Sequence, residues 1–220
     1  MLVRGQPAAP VAAHASRFKV YANPQERVLL PAPGVGQHSD VWDALAGARG
    51  EPAEGGSLQQ VELGRVLWAA AGLVDGRQRT HLVPGDMSGL EAYVLVHAVR
   101  ELSPGRYHYD AREHALEQLA LGDVRRDLAQ VLLDQGDLEP YAATLVLTGV
   151  PTRLVANHGP RAYRLLALEA GAATQASVVA ATAMAFTGCL VANFYDSELA
   201  ALLDLDAGLE PPLAVVLLGR

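Results

Sequence analysis

Arginine supplies nearly all of the positive charge of this chain, and several arginines lie in loops next to glycine. Of the 17 basic residues, Lys19 is the only lysine. The loop arginines are Arg77, Arg79, Arg161, Arg164 and Arg220. Guanidinium groups bind phosphate and carboxylate through paired hydrogen bonds, so together these residues could form an anion site. Solvated surface explains any one of them equally well.

The other residue types that carry chemistry do not form a recognisable site. The seven histidines include no His-x-His or His-Glu-x-x-His spacing, and we predict no metal site. His97 and His108 could face each other across neighbouring strands, but we interpret both as ordinary residues of the sheet surface. Cys189 is predicted to be a small buried core residue. Since Lys19 lies in the N-terminal segment, we expect no mechanism that needs a lysine.

Composition excludes several classes of partner. The formal net charge is −7 and the isoelectric point is near 5.4, whereas a protein that binds the nucleic-acid backbone needs a basic face. The first residues lack the continuous apolar core of a signal peptide. The longest apolar run, 176–186, is too short to span a bilayer. We therefore expect a soluble cytoplasmic protein that binds neither nucleic acid nor membrane.

The pattern of elements predicts one α+β domain. We interpret 1–40, rich in Pro, Ala and Gly, as an extended N-terminal arm, and 41–220 as the domain. Predicted helices cover 41–49, 57–72 with Ser57 as its cap, 123–134, 163–186 and 196–203. Predicted strands cover 93–99, 106–110, 114–121, 143–150, 189–194 and 213–219. We expect a mainly antiparallel sheet, with the alanine-rich helix 163–186 as the most buried helix.

Several phrases resemble one enzyme family over about 150 residues in collinear order. They are VLWAAAGL (66–73), RT (79–80), GLEAYVLVH (89–97), SPGRYHYD (103–110), RAYRLLALEAG (161–171), NFYDSELAALLDL (193–205) and the terminal VVLLGR. This sequence resembles the SagB-type dehydrogenases of the nitroreductase superfamily. Members commonly oxidise azolines to azoles in ribosomal peptides, beside a cyclodehydratase.

The resemblance implies an α+β sandwich, a homodimer or a heterodimer with a related subunit, and FMN at the subunit interface. It places Arg220 near the flavin phosphate and Arg79 and Gly85 in the same cavity. It also places the backbone at Ala192 and Asn193 against the flavin ring. The protein's part in such chemistry is to position the flavin and a base against the substrate.

The sequence departs from the family at functional positions. Of an arginine-rich phrase that holds the flavin, only Arg49 survives in GARGEPAEG (47–55). Leu82 and Val83 replace a Pro-Ser pair, and Asn157-His158 stand where azoline oxidases carry Lys-Tyr. Ala192-Asn193 replace a Gly pair. The catalytic residues are therefore unassigned.

Two function classes follow from these departures. The first is an FMN-dependent dehydrogenase or oxidase acting in peptide natural-product modification, with a base other than the missing pair. The second is a catalytically degenerate subunit that supports an active flavoenzyme partner or scaffolds a modifying complex. Each lost phosphate contact is worth about 1.5–3 kcal/mol, so FMN binding could be weakened or lost.

Overall fold

A single antiparallel sheet of seven strands organises the chain. The computed structural model describes residues 17–33, 40–48, 55–84, 87–133 and 137–220. The strands are β1 (Glu26–Leu29), β2 (Leu90–Val96), β3 (Gly105–Asp110), β4 (Ala115–Leu121), β5 (Tyr141–Gly149), β6 (Thr187–Val191) and β7 (Pro212–Gly219). Their order is β1-β4-β3-β2-β5-β7-β6, and every pair of neighbours is antiparallel. The predicted α+β fold with a mainly antiparallel sheet is confirmed.

Helices cover both faces of this sheet. They are α1 (Val41–Gly47), α2 (Gln60–Ala71), α3 (Arg125–Val131), α4 (Thr152–His158), α5 (Ala162–Ala183) and α6 (Asp196–Leu202). Because side chains alternate along a strand, Val94 packs on one face with residues of α2 and α5, while Leu95 packs on the other with residues of α3 and α6. The result is a sandwich with two hydrophobic layers.

The N-terminal end of α2 differs from its prediction. The helix begins at Gln60, and Gln59 rather than Ser57 is the capping residue. The backbone N–H of Gln59 donates to the Glu62 carboxylate across 2.8 Å, which completes a capping box. Two further elements, β1 and α4, were not predicted. Residues 26–29 of the predicted arm pair with β4 as β1, so this part of the arm is an edge strand.

The alanine-rich helix α5 is long, but it is less buried than expected. Nine of its 22 residues are buried, whereas every residue of β5 is buried and α2 buries six of 12. The prediction that α5 is the most buried helix is wrong for the single chain, because only one of its faces packs on α2 and the sheet. Tyr163 and Leu168 on its other side are 73% and 57% exposed.

The helical region 152–183 is also long and apolar enough to cross a membrane by length and composition alone. Core helices of globular proteins pass the same test, and 44% of its most apolar window is buried inside this chain. Its contacts with α2, β6 and β7 are those of a core helix that covers a sheet.

Candidate functional site

Arg220 directly follows β7 and lies at the N-terminal end of α2. Its Nε donates to the Ser57 carbonyl across 3.3 Å, and its own carbonyl accepts from the N–H of Gly55 across 2.6 Å. Gly56 has φ of +125° and passes close to the arginine, since a Cβ there would lie 3.5 Å from the Arg220 Cβ. The strand end, the glycine turn and the helix N-terminus thus converge on one guanidinium, in a surrounding that suits an anion.

Glu62 shares this site with Arg220. Its carboxylate accepts from the Arg220 Nη2 while its other oxygen accepts from the Gln59 N–H. A guanidinium has five N–H donors, so the contacts with Ser57 and Glu62 leave donors for a further oxygen ligand. A carboxylate beside that ligand position nevertheless repels an incoming anion.

Ala192 and Asn193 follow β6 at the other end of the same strand pair. Thr187 of β6 faces Gly219, and Val191 faces Val215. Val215 and Arg220 are five residue steps apart along an extended chain, a distance of about 17 Å between their Cα atoms. The Asn193 carbonyl accepts from the Leu133 N–H across 3.0 Å, which fixes the loop against α3. Two predicted cofactor positions therefore lie at opposite ends of the β6–β7 pairing, along one edge of the sheet.

Arg79 lies apart from Arg220 within the chain. Its Nη1 donates to the Ala71 carbonyl at the C-terminal end of α2, and its guanidinium lies 5.3 Å from the centroid of the Phe18 ring. Burial lowers the pKa of Arg79 from its ordinary value. Because α2 has 12 residues, its two ends are about 18 Å apart.

A single chain therefore does not bring Arg79 and Arg220 to one position. Gly85, predicted to share the Arg79 cavity, lies outside the described residues. The assignment of Arg79, Gly85, Ala192, Asn193 and Arg220 to a cofactor site stays a prediction.

Lys19 enters a buried polar cluster that the sequence analysis missed. Its Nζ lies 2.6 Å from the hydroxyl of Tyr93 and 2.6 Å from the Glu210 carboxylate. The Thr148 hydroxyl donates to the other oxygen of Glu210 across 2.8 Å. The segment around Lys19 packs on the sheet, so an N-terminal position does not keep this lysine away from the body of the protein. That no mechanism here needs a lysine stays a prediction.

His108 occupies the centre of the same cluster. Its Nδ1 lies 2.8 Å from the Glu117 carboxylate, and its Nε2 lies 3.1 Å from that of Glu91. Glu91 also accepts from Arg153, and Glu117 from Arg27. Burial alone would lower the pKa of His108, but the hydrogen bonds from its ring to the two carboxylates raise the pKa above its ordinary value.

The carboxylates of this cluster are paired with bases. Glu91, Asp110, Glu117 and Glu210 contact Lys19, Arg27, Arg153 and His108, and Asp110 also lies 3.7 Å from the partly exposed Arg112. Buried charges are stable only when they are paired and hydrogen-bonded, as they are here. The sequence contained one indication of this buried cluster. Glu91 and Tyr93 alternate with apolar residues in a strand that otherwise has the composition of a core strand.

Two minor predictions are wrong. Both histidines are buried rather than on the sheet surface, with exposed fractions of 4% for His97 and 0% for His108, and Tyr93 rather than His97 faces His108 across β2 and β3. His97 instead lies past the strand end, where its Nε2 is 3.1 Å from the Thr144 hydroxyl. Cys189 is half-buried rather than fully buried, because β6 is an edge strand. The described residues contain no group of three or more His, Cys, Asp or Glu arranged to hold a metal ion.

Comparisons with solved structures agree with this architecture. A protein assigned as a nitroreductase from Ralstonia eutropha JMP134 is 22% identical, with 98% of each chain covered and a TM-score of 0.74. One from Anabaena variabilis ATCC 29413 is 21% identical with a TM-score of 0.75, covering 96% of this chain and 45% of that one. At these identities the likeness concerns the fold.

A third similar structure belongs to a multi-subunit assembly. It is the E. coli microcin synthetase McbBCD complex with truncated pro-MccB17 bound. The identity is 22% and the TM-score 0.68, with 78% of this chain and 69% of that chain covered. No curated protein matches the sequence. The family model of the Nitroreductase family matches residues 57–220, from the turn before α2 to Arg220. Together with the seven-stranded sheet between helical layers, this match shows that the chain belongs to the nitroreductase family.

Proposed function

We propose that this protein is an FMN-dependent dehydrogenase or oxidase that acts in peptide natural-product modification. The observation that carries the proposal is the placement of Arg220 and of Ala192-Asn193 at the two ends of the β6–β7 pair. That separation suits an extended ligand with an anionic end and a planar ring. Membership of the nitroreductase family supports a flavin as that ligand.

The residues at both ends fit the chemistry of FMN. Arg220 keeps unused guanidinium donors and lies beside the N-terminus of α2, a combination suited to a phosphate. The loop at Asn193 is held by Leu133, which would fix its backbone against a ring. When bound, FMN supplies the hydride-accepting centre, while these residues bind and orient it. No side chain of this chain is assigned as the base.

Peptide modification and partners also belong to the proposal. A structural relative is a subunit of a microcin synthetase complex, which supports a peptide substrate and a cyclodehydratase or other modifying subunit as the partner. A dimer of this chain, or a heterodimer with a related subunit, would complete the site if Arg79 reached the flavin from the neighbouring copy. The Arg79–Arg220 separation within one chain favours that arrangement.

The ion pair between Arg220 and Glu62 favours a second candidate function. It partly neutralises the cation on which phosphate binding would depend. A subunit that has lost flavin would keep the fold and support an active partner or scaffold a modifying complex.

Flavin binding separates the two candidates. FMN would be titrated into the purified chain and followed by quenching of its fluorescence, with Arg220→Ala as the test variant and Arg126→Ala as the control on the exposed side of α3. The enzyme proposal expects binding that weakens about tenfold to a hundredfold in Arg220→Ala alone, the loss of a charge-assisted hydrogen bond. No binding, alone and with the neighbouring gene products, supports the second candidate. Binding unaffected by Arg220→Ala contradicts the site assignment.

A further inference from the structure

We propose that Phe18 is a positioning residue that holds the guanidinium of Arg79 toward the cavity between the N-terminal segment and the loop after α2. Arg17, Phe18, Arg79 and His81 line this cavity, whose volume is about 290 Å³. The inference rests on the proposed function, in which Arg79 reaches the flavin of a neighbouring copy. It adds the N-terminal segment to the parts of the chain on which that contact depends.

A single hydrogen bond does not fix the orientation of the Arg79 guanidinium. Its Nη1 donates to the Ala71 carbonyl, which uses one of five N–H donors. Burial lowers the pKa of Arg79, and the negative charges of Glu91 and Glu169 oppose that effect. Both carboxylates are hydrogen-bonded to other groups, so they compensate the cation without orienting it. A further contact is therefore needed to hold the plane of the group.

The ring of Phe18 supplies this further contact. The Arg79 Cζ lies 5.3 Å from the centroid of the ring, within the distance at which a cation is attracted to an aromatic face. The Arg112 Cζ lies 5.6 Å from the same centroid, and the Arg112 Nε lies 3.7 Å from the Asp110 carboxylate. Because guanidinium groups stack on aromatic faces, the ring restricts the plane of Arg79 where one hydrogen bond does not.

The position of Phe18 is fixed by the residue that follows it. The backbone N–H of Lys19 donates to the Glu91 carboxylate across 3.0 Å. The Lys19 Nζ lies 2.6 Å from both the Tyr93 hydroxyl and the Glu210 carboxylate. Backbone and side chain of Lys19 are thus both tied to the buried polar cluster. A ring attached to such an anchored backbone forms a fixed wall of the cavity.

This wall should increase the affinity of Arg79 for a ligand oxygen. A guanidinium that is already held in place loses less side-chain entropy on binding than a free one does. Removal of the ring leaves the cation in the chain but lets it move, so binding should weaken without any change of charge. This separates the contribution of Phe18 from the direct electrostatic contribution of Arg79.

Arginine resonances test the positioning without any ligand. In the full-length chain with isotopically labelled arginine, the Nε–H signal that is missing from Arg79→Lys identifies Arg79. We expect Phe18→Leu, which keeps apolar bulk but removes the aromatic ring, to shift this signal and to speed its exchange with water. Phe18→Tyr keeps an aromatic ring and should exchange like the parent chain. Val20→Ala, at an exposed side chain of the same segment, is the control and should change neither property.

FMN titration tests whether the positioned Arg79 serves the flavin. Fluorescence quenching should show an affinity about threefold to tenfold weaker in Phe18→Leu than in the parent chain, the contribution of one cation–π contact, and parent-like binding in Phe18→Tyr. If Phe18 acts through Arg79, the loss caused by Phe18→Leu is much smaller when Arg79 is already Ala. Unfolding curves show whether each variant stays folded.

The outcomes separate this inference from the proposed function. If the Arg79 signal and its exchange are the same in Phe18→Leu as in the parent chain, the inference is overturned, whether or not the chain binds FMN. It is also overturned if Phe18→Leu leaves FMN affinity unchanged, or if Phe18→Leu and Arg79→Ala weaken binding additively. A parent chain that binds no FMN contradicts the proposed function instead, and the Nε–H comparison then decides alone whether Phe18 holds Arg79.

Discussion

The ammonium group of Lys19 donates a 2.6 Å hydrogen bond to the hydroxyl of Tyr93 and thereby joins the N-terminal segment to the middle of the sheet. Tyr93 in turn donates to Glu210 across 2.8 Å, and Glu210 closes the triangle with Lys19 at 2.6 Å. Three distant parts of the chain therefore meet at one buried carboxylate. The only lysine of the protein holds its N-terminal segment in place.

Replacement of Lys19 by Met should destabilise the fold. The change removes the cation and leaves the Glu210 carboxylate, whose side chain is 11% exposed, without its ion-pair partner. Since the lysine is itself partly exposed, we expect a loss of about 1–3 kcal/mol in the free energy of unfolding, less than for a fully buried pair. Urea denaturation at pH 7 measures it.

The matched control is a double-mutant cycle with Glu210→Gln. If the two residues stabilise each other, Lys19→Met costs much less when Glu210 is already Gln, and the coupling energy is at least 0.5 kcal/mol by the usual range for contacting residues. Additive effects would mean that the contact does not stabilise the N-terminal segment.

The central strands were predictable because their local pattern and their long-range environment agree. The apolar, β-branched residues of β5 and β7 predict core strands, and both are core strands. By contrast, β1 has an exposed residue at Leu29 and no alternation, so only its pairing with β4 makes it a strand. Pairing between residues about 90 positions apart leaves no local signal.

The candidate site was predictable only in part, for a related reason. Arg220 could be singled out because it follows a strand and a glycine at the chain end. Its pairing with Glu62, 158 positions away, depends on where β7 meets α2, which no spacing in the sequence reveals. The same holds for Lys19, whose partners come from β2 and from the turn before β7.

His108 should make stability fall at alkaline pH. Its pKa in the folded protein is raised above 6.5, so its contribution is fully present below pH 6.5 and is lost as pH rises through the raised pKa. His108→Gln should cost about 3 kcal/mol near pH 6, because it leaves Glu91 and Glu117 facing each other without the cation. The cost should shrink as pH rises. Urea titrations from pH 5 to 9 test this, with His158→Gln as the control.

Glu91 should make the stability of the protein fall at acid pH. Burial alone would raise its pKa, but the hydrogen bond from His108 and the charge of Arg153 lower it from 4.5 to about 2. Its contribution is therefore present above pH 4.5 and lost as pH falls toward 2. We expect Glu91→Gln to flatten the decline of stability between pH 4.5 and 2. If the free energy of unfolding of this variant falls between pH 4.5 and 2 as steeply as that of the parent chain, the role of Glu91 is contradicted.

Glu62→Gln should strengthen FMN binding. Glutamine keeps an oxygen that can accept from the Gln59 N–H, so the cap of α2 is retained, but the charge that neutralises Arg220 is removed. We expect affinity to rise about threefold to tenfold, the effect of an exposed or half-buried ion pair of roughly 1 kcal/mol. Fluorescence quenching measures it, and salt should diminish the difference. Weaker binding in Glu62→Gln would show that Glu62 supports the ligand rather than opposing it.

The uncovered face of α5 should be a contact between two copies. Tyr163 and Leu168 are 73% and 57% exposed there, and a Cβ at Gly171 would meet no atom within 4 Å of its own chain. Ala173 of the same helix is buried in its own core and is unavailable to a partner.

Tyr163→Asp combined with Leu168→Asp places two charges on this face and should convert a dimer into the 23.2 kDa monomer, because an unpaired charge buried at an interface costs several kcal/mol. Leu121→Asp is the matched control, since Leu121 is 61% exposed at the end of β4, away from α5. Size exclusion with light scattering reports the mass, and unfolding curves show whether each chain stays folded. If the FMN site is shared between two copies, the double variant that no longer dimerises should also bind FMN more weakly. A parent chain that is monomeric, alone and with the neighbouring gene products, would contradict the prediction, as would a double variant that stays dimeric.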